Sequence, residues 1–227
     1  LGFRTGLGFP VSANGRLDLN FRVAQTEITD VPADSSAILR GEADEGSQVI
    51  ASVGYSYSFD SRRDGLNPLG GVLLRFGQDF AVLGGDIQYI ETSALALAER
   101  RILNEEVTIR ALFEAGAINS LSGDTRVTER FFGNNKVRGF DGNGYGPRDL
   151  ASGNRDALGG NLFASARFEA EFPVGLPEEY GIRGGVFLDV GSVWSLDNVD
   201  GGANGSDGLE LVDDDFFLRS SIGVSVF

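Results

Sequence analysis

The stretch NLFASARFEAEF, residues 161–172, decides the fold. Successive side chains of a strand point to opposite faces, so Leu162, Ala164, Ala166, Phe168, Ala170 and Phe172 share one side, and Asn161, Ser165, Arg167, Glu169 and Glu171 share the other. An apolar face of this length, opposite three charges, argues against a soluble sandwich, whose strands are usually shorter. It fits a wall with hydrocarbon on one side and water on the other. A membrane-crossing β-strand needs only about nine to eleven residues with alternate positions apolar.

The same period recurs on both sides of this stretch. Downstream, Ile182, Val186, Leu188, Val190 and Trp194 are set against Arg183, Asp189 and Gly191, and Leu218, Ile222, Val224 and Val226 against Arg219, Ser221, Gly223 and Ser225. Upstream, Val107, Ile109, Ala111, Phe113 and Ala115 alternate with Thr108, Arg110, Glu114 and Gly116. Five more alternating runs cover residues 1–9, 17–23, 49–59, 72–80 and 87–98; the last slips phase near Glu91, which predicts a bulge. The total is nine strands. Closed bacterial barrels normally have an even count, so nine predicts an incomplete barrel with two open edges. A chain that opens on Leu1 and contains no Met also reads as part of a longer protein.

Connections and charge sort together. Apart from a short break at Gly84-Gly85, short turns (PVSANG, SRRDGLNPLG, ERRILN, PVGLPEEY) alternate with long polar loops at 27–47, 119–159 and 195–215, the asymmetry of outer-membrane barrels. The first and last of those loops carry net charges of −5 and −7, most of the chain's −14, and leave the strands nearly neutral. With no His and no Cys, the commonest general base and all thiolate and disulfide chemistry are missing. Acids abound, but none forms a pair that would mark a sugar-processing enzyme. The acidic run 197–215 lacks the spacing of a calcium loop, so no metal and no cofactor is expected. Asn204-Gly205-Ser206 is a glycosylation sequon by spelling only. Trp194 and the tyrosines at 55, 57, 89 and 180 read as interfacial anchors.

Between the sixth and seventh strands lies the glycine-rich loop RVTERFFGNNKVRGFDGNGYGPRD, residues 126–149, with Val137-Arg138-Gly139-Phe140 at its centre. VRGF followed by GYGPRD, then DALGGN opening a strand that ends EFPVG, then GGVFLDVGSVW, resembles the C-terminal barrel of BamA-type outer-membrane assembly factors, the bacterial surface antigen family. FDSRRDGLNPLGG is similar to that family's turn motif before a barrel strand. The resemblance spans essentially all of residues 1–227. It implies a transmembrane antiparallel β-barrel domain of which this chain holds about nine of sixteen strands. The periplasmic POTRA domains and the first and last strands would lie outside it.

The resemblance also implies a function that is not bond chemistry: folding and inserting β-barrel proteins into the bacterial outer membrane. The implied partners are unfolded outer-membrane proteins, outer-membrane lipid, accessory lipoproteins and periplasmic chaperones, with no nucleic acid. A passive porin, or a secretion or autotransporter-assembly pore of the same superfamily, is the alternative. Residue by residue, the resemblance implies that the loop enters the lumen and sets Arg138 against inward acids of the next two strands, matching Glu171 and Asp189. Gly139 would allow the turn and Phe140 would pack its tip. Arg167, Glu169 and Arg183 are read as lumen wall facing water.

Overall fold

In a computed structural model, which describes residues 1–62, 69–199 and 212–227, antiparallel strands dominate. They are β1 (Gly2–Pro10), β2 (Gly15–Thr26), β3 (Gln48–Asp60), β4 (Gly70–Ala81), β5 (Gln88–Ile102), β6 (Val107–Ser122), β8 (Leu162–Pro173), β9 (Arg183–Trp194) and β11 (Arg219–Val226). These nine form one sheet in chain order. Two short strands, β7 (Arg148–Asp149) and β10 (Val212–Asp213), pair separately. The centre of the SRRDGLNPLG turn, most of the acidic run 197–215 and the sequon at Asn204 lie outside the described residues.

Each strand pairs with its sequence neighbour in the sheet, and β1 and β11 do not pair with each other, so the nine strands are an open section of wall. Register keeps the faces separate. Leu17, Leu19 and Phe21 oppose Tyr57, Tyr55 and Val53, while Tyr57 and Phe59 oppose Phe76 and Leu74. Phe113 opposes Ala166 across β6 and β8, and its ring meets Phe168 edge-on at 5.6 Å. Such a surface is unfavourable in water and suited to lipid. Three of its polar members bond to one another sideways: Tyr55 Oη donates to Gln78 Oε1 at 2.8 Å, and Gln78 Nε2 donates to Thr92 Oγ1 at 3.0 Å.

Alternation of the connections puts 82–87 on the same rim as the long loops, although it is short. The structure moves three further expectations. The register shift lies at Gln88/Tyr89, not near Glu91; Leu95 and Leu97 share a face with Glu99, which blurs the alternation in sequence. Tyr89 is consequently turned inward, buried with Ile50, Ile87 and Ile118, so it is no interfacial anchor. The loop 27–47 holds a helix, α1 (Ala37–Asp44), with Ser36 Oγ accepting from the Ile38 amide at its N-cap.

Candidate functional site

Loop 123–161 is fixed first at its base. Phe131 and Gly160 exchange backbone hydrogen bonds of 2.9 Å in each direction. α1 clamps it from outside: Ser36 Oγ donates to Asp149 Oδ2 at 2.5 Å, and Glu42 forms an ion pair with Arg130 at 2.6 Å while accepting from the Val127 amide at 2.8 Å. Ile38 packs there with Leu158, Leu196 and Val212. The loop then turns down onto the inner face of the wall, where Val137 and Tyr145 are buried against Phe163 and Val193.

At the tip, Gly139 has φ +84°, a left-handed conformation that a side chain would strain. That turn delivers Arg138 to the wall. Its backbone amide and Nε both donate to Asp189 Oδ2, at 3.0 and 2.7 Å, Nη2 donates to Asp189 Oδ1 at 2.8 Å, and Nη1 donates to Glu169 Oε2 at 2.6 Å. A planar guanidinium gripping both oxygens of one carboxylate is a geometry Lys cannot reproduce. The Asp189 side chain is 0% exposed, so its charge depends on these donors. Phe140 stands edge-on to Tyr145 at 5.3 Å.

Glu171 is not the second partner of Arg138. Arg167 faces Asp189, Glu169 faces Phe187 and Glu171 faces Gly185 across the β8–β9 pair. Glu169 is thus diagonal to Asp189 and within reach of one guanidinium; Glu171 is a further step along the strand, beyond it. Glu171 instead accepts from Arg110 Nη1 at 2.8 Å and Arg183 Nε at 2.6 Å. Arg183 and Arg167, read from sequence as water-facing, are both paired, Arg167 Nη2 with Glu114 Oε2 at 2.6 Å. Parity could place 169 and 171 on one face; choosing between them required the register.

Two aromatic seats escaped the sequence reading. Arg138 Cζ lies 3.7 Å above the Phe187 ring, and Lys136 Nζ lies 3.8 Å above the Phe163 ring. Phe187 opposes Gly223, and Phe163 opposes Gly116. A Cβ at 223 would fall 2.5 Å from Phe187 Cζ, so the ring lies flat only over glycine. Gly223→Val should tilt Phe187 and weaken the Arg138 contact by about 0.5–2 kcal/mol, the worth of a cation–π contact. Faster hydrogen exchange at the Arg138 amide would register it; an unchanged rate would mean the ring is not a seat.

The site is a section of membrane β-barrel wall on whose inner face an inserted loop seats Arg138 against Asp189 and Glu169. The chain belongs to the Omp85 superfamily, whose domain matches residues 1–226. It is 31% identical over 212 residues, 93% of its length, to the outer membrane protein assembly factor BamA of Neorickettsia risticii (strain Illinois). It is 25% identical over 169 residues, 70% of its length, to the BamA of Nitratidesulfovibrio vulgaris (strain Hildenborough). The chain spans 27% and 20% of those relatives. The crystal structure of BamA from Haemophilus ducreyi lacking POTRA domains 1-3 has the same fold, with a TM-score of 0.80 and 17% identity over 99% of this chain and 47% of that one.

Proposed function

We propose that residues 1–227 are part of the barrel domain of an outer-membrane assembly factor, which folds and inserts other β-barrel proteins into the bacterial outer membrane. The observation that carries this reading is the seating of Arg138 on Asp189 and Glu169 inside a lipid-facing wall, together with relatives named as such factors. Unpaired backbone groups cost several kcal/mol each in lipid, so an incoming strand gains by pairing with an exposed strand edge. The anchored loop would stiffen that wall while client strands pair elsewhere in the full protein. Val137, Arg138, Gly139 and Phe140 form the loop's contact, with Glu169 and Asp189 as its acids. Unfolded outer-membrane proteins and lipid would be the direct partners, and accessory lipoproteins and periplasmic chaperones the auxiliary ones.

The test uses the full-length protein in liposomes and times the folding of a urea-unfolded outer-membrane client. Acceleration by wild type that drops severalfold in Arg138→Ala supports the reading. Ion conductance without acceleration moves the chain to a pore of the same superfamily.

A further inference from the structure

Both acids that hold Arg138 already face another arginine directly across the sheet. Glu169 is the register partner of Arg110 on β6, and Asp189 is the register partner of Arg167 on β8. Directly opposed side chains have Cβ atoms about 4.5–5.5 Å apart, so the wall could close both pairs without the loop. With the loop seated, neither is fully made. Arg110 Nη1 lies 3.4 Å from Glu169 Oε1, while its shorter bonds go to Glu99 Oε2 at 2.7 Å and Glu171 Oε2 at 2.8 Å. Arg167 gives Nη2 to Glu114, and its buried Nε has no hydrogen-bond partner.

We infer that Arg110 and Arg167 set how readily the loop leaves, closing on Glu169 and Asp189 as Arg138 withdraws. The inference rests on reading Arg138 as the loop's anchor. Removing one member of a buried ion pair is costly because it strands the other. Here a guanidinium already 3.4 Å away and a spare Nε donor opposite Asp189 turn that rupture into an exchange, made by side-chain rotation alone. The field acts in the same direction. Arg110 and Arg167 carry the charge of Arg138 and compete for the same carboxylates, so deleting either leaves the seated loop in a more negative surrounding. A simple packing role gives the opposite sign, with either deletion loosening the loop.

The experiment is trypsin cleavage after Lys136 in the full-length protein in bilayers, with the fragment identified by mass. Lys136 is stacked on Phe163 and Val137 is buried, so cleavage there reports the released loop. Arg138→Gln should speed it; if it does not, the anchor reading fails whatever the other variants do. With that control positive, Arg110→Gln and Arg167→Gln should each slow cleavage about threefold, and together about tenfold, as expected of partly exposed ion pairs. Because these changes also strip Glu99, Glu171 or Glu114 of a partner, Arg110→Gln/Glu99→Gln and Arg167→Gln/Glu114→Gln are run beside them. Cleavage within the strands, after Arg22 or Arg75, identifies any variant that has not folded. Slower cleavage confined to the loop in either form sustains the exchange; unchanged or faster cleavage in both overturns it.

Discussion

Asp189→Ala should unseat the loop and speed amide exchange across residues 133–146 by two to three orders of magnitude. Three of the four hydrogen bonds from Arg138 end on this carboxylate. Arg138 keeps Glu169, so losing them costs about 3–4 kcal/mol, the lower part of the range for a broken buried pair, and each 1.4 kcal/mol is about a factor of ten in the open population. Asp189→Asn keeps the shape and one acceptor oxygen, so its effect should be about half as large in free energy. Exchange that is equally slow in both variants would show that Val137 and Tyr145 hold the loop without the ion pair.

Glu42→Ala acts at the other end of the same loop. The Arg130 side chain is 0% exposed, and Glu42 is its carboxylate partner. Without it Arg130 retains the carbonyls of Thr125 and Leu158 and the Thr125 hydroxyl, but the Val127 amide loses its acceptor and Arg130 Nη2 one of its two, which sets the expected cost at about 3 kcal/mol, the upper end for a buried donor left unsatisfied. Proteolysis of the 27–47 segment should rise accordingly. The pH dependence has a definite sign. Burial raises the Glu42 carboxyl above its ordinary 4.5, and attraction to Arg130 offsets this only in part. As pH rises, the free segment therefore loses its proton first. Docking of α1 should be firmest below about pH 4.5, weaken as pH climbs through the raised value, and then level off. Glu42→Gln should abolish that slope while still accepting from Val127; a slope that persists would assign it to another group.

The wall was legible because its environment imposes period two on every strand. Lipid on one side and water on the other leave little room for exceptions, and Leu162 to Phe172 could be assigned to faces from spacing alone. What was hidden depended on contacts distant in sequence. α1 has only eight residues and draws its stability from Asp149, Val127 and Arg130, all far along the chain. β7 and β10 are two residues each, too short for any period to show. Glu169 and Glu171 are equivalent by parity, and only the pairing of Arg167 with Asp189 separates them. Phe187 looked like one more aromatic in a strand until Gly223 was placed beneath it.

The anchor has a bearing on the order in which the chain is built. Arg138 leaves the ribosome before either of its acids, which follow 31 and 51 residues later. Its binding geometry does not exist until β8 and β9 have zipped in the register that sets Glu169 diagonal to Asp189. Contacts of such long sequence separation form late, after the loops between them have been closed. Seating of the loop is thus an end-point of the wall's own assembly, and a hairpin paired one residue out of step, its acids turned to lipid, would have nothing for the arginine to grasp.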